Sequence, residues 1–384
     1  MKLYNSLSKQ IEEFIPLTKG KVKMYVCGIT PYDTTHLGHA FTYIQFDALK
    51  RYLTFKGFEV TYTQNVTDID DDILKRAARD GKDWQELGQY WTDRFLTDLK
   101  ALNIQLPDNY VKATDYIEKI IEINKTLIKN NQAYQKNGVV YFDVSSFPQY
   151  GELSGFREEQ MKLISSERGA NPDDPNKKNP LDFILWTPST SDQPGWESPW
   201  GRGRPGWHIE CSAMVAATLG EQIDIHGGGR DLVYPHHESE IAQSQSYTGK
   251  SPYVKTWMHT AMLQYQGEKM SKSLGNMLFA EELLKQYPSN TIRWVLLSHH
   301  YRSPWEYQTE MAEQAKEITT KFKTLKVSGE LDQKLFEELC LKVDIDLNLP
   351  EALKLIELKL TSTPSEQEQL SIKKFLEILG FTIS

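Results

Sequence analysis

Cysteine is the scarcest of the reactive residues in this chain: Cys27, Cys211 and Cys340 are the three in 384 positions. They stand far apart, which excludes a disulfide framework and implies reduced thiols. Also missing is any apolar run near the roughly 20 residues a membrane span needs, and the first residues carry no signal-peptide core. A cytoplasmic protein with no membrane partner is the expectation. Positive charge is short too: 44 Lys and Arg against 52 Asp and Glu give a formal net charge of −8, so no overall basic footprint for nucleic acid exists and only a local patch has room. Internal repeats and low-complexity segments are absent. The length exceeds one average domain, so a large core with an appended module is expected.

What the chain does contain is organised around Cys27-Gly28-Ile29-Thr30-Pro31-Tyr32-Asp33-Thr34-Thr35-His36-Leu37-Gly38-His39-Ala40. Lys21 to Val26 before it is β-prone, and Leu37 to Leu53 after it carries apolar residues at helical spacing. Cys27 is therefore expected at the carboxyl end of a parallel strand, where open α/β sheets bind ligands. His36 and His39 share a face of the first helical turn, and two imidazoles at a positive helix terminus suit the phosphates of a nucleotide. Such a pair is more often capping or surface chemistry, so it needs a second phosphate-handling element. Lys269-Met270-Ser271-Lys272-Ser273 supplies one.

Residues 1 to 20 read as a peripheral strand and turn. Glu59 to Val66 alternates like a strand and ends at Thr67-Asp68-Ile69-Asp70-Asp71-Asp72, where Thr67 is placed for substrate and Asp71 and Asp72 for a helix start. Strand, helix, strand opens a doubly wound parallel unit. Helical spacing follows over Asp83 to Asn103 and Ala113 to Asn131, then a strand over Gly138 to Asp143. Residues 83–180 thus read as an insertion within a catalytic domain of residues 1–279. Glu167 to Lys178 is a polar loop. Gln222 to His226 reads as a strand, Gly227-Gly228-Gly229 as a tight turn, and His236 to Tyr247 as a helix. Residues 280–384 read as a C-terminal helical module, with Cys340 a small apolar residue on one of its helices.

A second constellation comprises Cys27, Cys211, His236 and Glu240. Glu240 follows His236 by four residues, so both project from one helix face. Two thiolates, an imidazole and a carboxylate suit tetrahedral Zn²⁺, although His236-His237-Glu238 equally suits a helix start with capping roles.

His36-Leu37-Gly38-His39 and Lys269 to Ser273 resemble the two signature motifs of class I aminoacyl-tRNA synthetases. Tyr25-Val26-Cys27-Gly28, Gly206-Trp207-His208-Ile209-Glu210-Cys211 and Pro235-His236-His237-Glu238-Ser239-Glu240 resemble the zinc-binding segments of cysteinyl-tRNA synthetases and of the mycothiol-pathway cysteine ligases related to them. The resemblance implies a Rossmann-like doubly wound sheet with a C-terminal helical bundle, and an ATP- and zinc-dependent ligase that forms cysteinyl adenylate. It implies that zinc binds the substrate thiol, which discriminates cysteine from serine because a hydroxyl is a poor zinc ligand. Residue by residue, it implies that Cys27, Gly28, Ile29, Thr30, Thr42, Asn65, Val66, Thr67 and Trp207 line the cysteine and adenylate pocket. Gly229, Arg230, Asp231 and Leu263 are implied to hold adenosine. His36, His39, Lys269 and Lys272 are implied to stabilise phosphate charge, with Mg²⁺ accompanying ATP.

The acceptor is the open point. Cys27-Gly28-Ile29-Thr30-Pro31-Tyr32-Asp33, Phe41, His299-His300-Tyr301-Arg302 with Trp305-Glu306, and the loop Glu167-Arg168-Gly169-Ala170-Asn171-Pro172 look more like the mycothiol-type ligase. A chain without the anticodon-binding domain usual in the tRNA enzymes is also the expectation. Glu240, and Lys269 to Asn276 with Leu274, look more like the tRNA enzyme. The expectation is transfer of cysteine to a small amine such as glucosaminyl-inositol. Charging of tRNA by a short synthetase is the alternative, and a non-catalytic zinc-binding paralogue is a third.

Overall fold

The computed structural model describes residues 1–270, 276–326 and 328–383, with Lys269 described in its backbone alone. The chain enters as a hairpin, β1 (Lys2–Asn5) with β2 (Gln10–Glu13). Strand and helix then alternate through β3 (Lys21–Ile29), α1 (Leu37–Phe55), β4 (Glu59–Val66), α2 (Asp71–Asp80), α3 (Trp84–Ala101) and β5 (Asn109–Lys112). Local chemistry fixes these boundaries. The His36 ring accepts the His39 N–H at the start of α1, Asp70 and Asp83 cap α2 and α3, and Gly81 ends α2 in the left-handed conformation.

Next come α4 (Ile117–Lys129), β6 (Ala133–Lys136), β7 (Val139–Phe142), α5 (Glu158–Glu167), β8 (Phe183–Pro188) and β9 (Gly203–Pro205), whose strands form a separate antiparallel sheet in the order β6-β7-β8-β9. The main sheet then resumes with α6 (Trp207–Thr218), β10 (Ile223–Gly229), α7 (Glu238–Thr248) and β11 (Val254–Thr260). Its strand order is β11-β10-β3-β4-β5, all parallel. The chain leaves β3 toward β5 on one side and returns to β10 on the other, so the topological switch falls between β3 and β10.

Two expectations shift. The inserted portion does not coincide with residues 83–180: α3 and β5 belong to the parallel unit, and the antiparallel sheet runs on to Pro205. Gly227-Gly228-Gly229 is not a turn but the end of β10, paired with β11 from Met258 to Thr260. Glycine is required there because a Cβ on Gly227 would sit 2.1 Å from the Phe46 ring.

Beyond β11, short strands β12 (Leu263–Tyr265), β13 (Glu268–Lys269) and β14 (Trp305–Glu306) form a small sheet, β14 following the helices α8 (Ala280–Gln286) and α9 (Ser289–Leu297). The remainder is helical: α10 (Thr309–Thr320), α11 (Gln333–Val343), α12 (Leu349–Thr361) and α13 (Glu366–Ile378). One apolar core is continuous from α1 to α13. Inside it the buried Arg293 of α9 pairs with Asp47 of α1 and donates to the carbonyls of Leu379 at 2.7 Å and Leu102 at 3.1 Å. Cys340 is half-buried on α11, and its carbonyl accepts the Tyr52 hydroxyl at 2.9 Å. No helix among the described residues is long and apolar enough to cross a membrane.

Candidate functional site

At the switch point Cys27 sits near the carboxyl end of β3, and the Tyr43 hydroxyl holds its carbonyl at 3.0 Å. Cys211 faces it from α6, while Glu240 comes from α7 and His236 from the kinked segment just before α7. All four side chains are buried, and their ligand atoms lie within 4.8 Å of one another. Individual separations are 3.8 Å between the two sulfurs, 3.4 Å from Cys211 Sγ to His236 Nε2, 3.2 Å from His236 Nε2 to Glu240 Oε1 and 3.8 Å from Cys27 Sγ to Glu240 Oε1. A tetrahedral ion with zinc–ligand bonds of about 2.0–2.3 Å spaces its ligands about 3.4–3.8 Å apart. The donor set therefore fits Zn²⁺ in both chemistry and spacing.

A second grouping, Cys27, His226, His237 and Glu240, is equally compact. It shares two members with the first, so the two sets describe one ion position. The set with both thiolates suits zinc better, which leaves His226 and His237 as supports. His226 Nε2 lies 3.1 Å from Glu240 Oε2, and His237 Nε2 lies 3.3 Å from Cys27 Sγ. His237 Nδ1 in turn meets His259 Nε2 at 2.7 Å, and His259 Nδ1 meets Ser6 Oγ at 2.8 Å. Such outer partners fix ring orientation around a metal. Burial pushes the Cys27 thiol and the Glu240 carboxyl up, depresses His236 and His237, and takes His208, His226 and His259 down to about 3. The neutral imidazoles are ready donors, while a cation must displace protons from thiol and carboxyl.

His226 and His259 were not singled out in the sequence, and His237 was read only as part of the Pro235 to Glu240 segment or as a helix start. The signal for the first two was the pairing of β10 and β11, which places His226 beside Trp257 and thus one strand from His259.

Above the metal set, Trp207 at the start of α6 stacks on His236 with centroids 4.4 Å apart. Gly28 N–H donates to Asn65 Oδ1 at 2.8 Å, and the Thr67 N–H donates to the Ile29 carbonyl at 3.0 Å. Ile29, Asn65, Val66 and Thr67 thus close the strand ends together, Val66 with its side chain wholly buried. Thr30 follows directly. A Cβ on Gly28 would lie 1.5 Å from the Asn65 carbonyl oxygen, so the close approach demands glycine.

On the side expected to take the nucleotide, the rings of His36 and His39 stack with centroids 3.6 Å apart. Thr42 Oγ1 meets Thr260 Oγ1 at 2.7 Å, which ties α1 to the ends of β10 and β11. Gly229 ends β10, Arg230 is exposed, and Asp231 accepts from Arg168 at 3.2 Å. Leu263 opens β12 in a buried position. Lys269 lies in β13, and a Cβ added to Gly38 would come within 3.5 Å of Met270 Cε, so the segment that opens the second motif borders the first. Lys272 lies outside the described residues. The loop at Arg168 thus touches the expected adenosine segment through one ion pair that crosses from the inserted portion.

Comparison with known proteins gives the family. A family model described as the class I (C) tRNA synthetase catalytic domain matches residues 13–317. A cysteine–tRNA ligase of Pyrococcus furiosus is 51% identical over 311 residues, 81% of this chain and 64% of that protein. The cysteine–tRNA ligase of Thermococcus onnurineus is 50% identical over 317 residues, 82% of this chain and 65% of that protein. The chain thus spans about two thirds of the length of these relatives. Among solved structures, Mycobacterium tuberculosis methionyl-tRNA synthetase in complex with methionyl-adenylate superposes with a TM-score of 0.67 at 16% identity, over 94% of this chain and 88% of that one. At that identity the likeness concerns the fold.

Proposed function

Because the chain belongs to the class I cysteinyl-tRNA synthetase family, we propose that it is a ligase that activates cysteine with ATP as cysteinyl adenylate and transfers the cysteine to tRNA. The observation that carries this reading is the convergence of Cys27, Cys211, His236 and Glu240 at the sheet's switch point, with the Trp207 ring stacked on His236. These four residues would hold Zn²⁺, which supplies a soft Lewis-acid position that takes a thiolate in preference to a hydroxyl. The rest is work of the chain itself. Trp207 and the Asn65 to Thr67 strand end enclose the amino acid, while Thr42, Gly229, Asp231 and Leu263 bracket adenosine. His36 and His39 offer imidazoles to the phosphates, with Lys269 and Lys272 of the second motif supplying positive charge as the carboxylate attacks the α-phosphorus. Charge stabilisation and positioning lower the barrier, and no covalent enzyme intermediate is needed. Mg²⁺ accompanies ATP as its counter-ion.

For the acceptor, the similar curated proteins are cysteine–tRNA ligases, which favours tRNA over the small amine expected from local motifs. That small-amine expectation has no support among them. A cytoplasmic setting goes with the tRNA reading. The test is ATP–pyrophosphate exchange with cysteine and with serine, followed by transfer assays with total tRNA and with glucosaminyl-inositol. The expected result is cysteine-specific exchange and cysteine on the 3′ end of tRNA. Transfer to the amino sugar without tRNA charging would overturn the acceptor. Absence of exchange would overturn the activation chemistry.

A further inference from the structure

The polar loop from Glu167 to Lys178 belongs to the inserted portion yet reaches the site. Arg168 near its start meets Asp231, just beyond β10, at 3.2 Å. Between this loop and Trp207 and His208 of α6 lies a cavity of about 40 Å³. Its walls thus come from both the inserted portion and the side expected to take the amino acid. Among the described residues, none of them belongs to the His36 to His39 or Lys269 to Met270 segments, so the cavity is separate from the place expected for the ATP phosphates.

The charged groups on the cavity wall are Arg168, Lys177 and Asp182, an excess of positive charge. Asp182 is fully engaged: its carboxylate accepts from the Tyr134 hydroxyl at 2.6 Å and from the Val144, Lys178 and Asn179 N–H groups at 2.9, 3.2 and 3.0 Å. Lys177 is the opposite case. It is half-buried, and among the described residues its ammonium makes one long hydrogen bond, 3.5 Å to the Pro180 carbonyl. An ammonium has three donors, so Lys177 has donors to spare. Burial depresses its pKa, with Asp174 and Asp182 acting on it as nearby charges, the state of a cation short of close partners. Tyr150, Phe183 and Trp207 supply apolar wall, and in such a setting charge attraction is stronger than in water. The volume admits about three waters or one small oxyanion group.

We propose that this cavity is a phosphate subsite, filled by the terminal phosphodiester of a polynucleotide acceptor. The assignment rests on the reading of tRNA as the acceptor. Lys177 supplies the charge, and the Arg168 pair with Asp231 holds the loop in place, so the acceptor's end is gripped where the inserted portion meets the amino-acid pocket. The diphosphate released in activation has the same chemistry, but it is expected on the His36 and His39 side, where this cavity has no wall.

The test uses the zinc-loaded full chain with Lys177→Met and, as the conservative partner, Lys177→Arg. Cysteine-dependent ATP–pyrophosphate exchange is measured with its KM for diphosphate, and tRNA charging is measured across a range of salt. In the methionine variant, exchange and the KM for diphosphate should stay at wild-type values. Its kcat/KM for charging should fall about 10- to 100-fold, the worth of a hydrogen bond to a charged group. The log–log salt slope of charging should flatten by about 0.7, one single-strand phosphate contact. The arginine variant should recover both. Charging at the wild-type rate and slope in Lys177→Met overturns the subsite while leaving tRNA charging standing. A raised KM for diphosphate instead gives the subsite to the leaving group and overturns the acceptor's place in it. A wild-type chain that activates cysteine but charges no tRNA overturns the acceptor reading and this assignment together. Ala170→Phe, which fills the cavity from the loop, gives an independent reading. Lost charging with retained exchange supports the assignment even if the lysine variants do not fold, and unimpaired charging overturns it.

Discussion

At the scale of single residues, the site depends on which atoms can be moved without cost. Cys211→Ser replaces a soft donor with a poor one while keeping the shape. Bound zinc measured by elemental analysis should therefore fall toward zero, and the preference for cysteine over serine in the exchange assay should disappear with it. His237→Ala spares all four proposed ligands but removes the ring beside Cys27 Sγ and breaks the chain to His259 and Ser6. Outer partners of this kind are worth about 10- to 100-fold in metal affinity, a loss that competition with a chelator would register. Retained affinity would mean that the histidine row is only packing. Gly28→Ala is the harshest small change, since its new methyl group would lie 1.5 Å from the Asn65 carbonyl oxygen. The backbone must shift, and overpacking of this sort costs about 1–3 kcal/mol or more. Urea denaturation should show that loss, and Cys27, one residue away, should lose zinc even in the fraction that remains folded.

At the scale of elements, the strand ends and the first helix were legible because their signals are local. The strand over Glu59 to Val66 and the helix after Leu37 depend on nothing distant and are found as β4 and α1, although β4 is buried throughout its last five residues rather than on alternate ones. The four-ligand set was legible only through the combination of i,i+4 spacing with resemblance, since no local pattern says that α6 and α7 face β3. The glycine run misled because three glycines without context read as a turn, whereas β11 pairing and the Phe46 ring keep them extended. The limits of the inserted portion misled for a related reason: membership of a sheet is a long-range property, and β5 joins the main sheet only through its pairing with β4. Wholly invisible beforehand was the role of Arg293, which binds Asp47 and the Leu379 and Leu102 carbonyls and so locks α9 to α1, to the end of α3 and to the end of α13. Arg293→Met would leave the buried Asp47 carboxylate with Arg51 as its remaining ion-pair partner and strand those carbonyls. Breaking a buried pair costs about 3–5 kcal/mol. The urea midpoint should drop accordingly, while the cysteine-to-serine preference of the folded fraction stays intact because no site residue has moved.

At the scale of the whole molecule, the formal charge of −8 sets the terms for a polyanionic partner. Like charges repel at long range, so the proposed binding of tRNA would have to rely on lysines and arginines gathered locally against phosphates rather than on the protein's overall field. The two half-reactions should then separate by ionic strength. The proposed cysteine activation would take place among buried groups at the β3 and β10 strand ends, where salt screens little. Transfer requires phosphate contacts, each of which releases counterions and contributes a slope of about −0.7 to −0.9 in a plot of log affinity against log salt. Raising salt from about 50 to 200 mM should therefore leave pyrophosphate exchange within about twofold, while kcat/KM for tRNA charging falls on a straight log–log line whose slope counts the contacts. If charging proved as flat as activation, phosphate contacts would not be what holds the acceptor, and a neutral or cationic small molecule would regain its claim to the transferred cysteine.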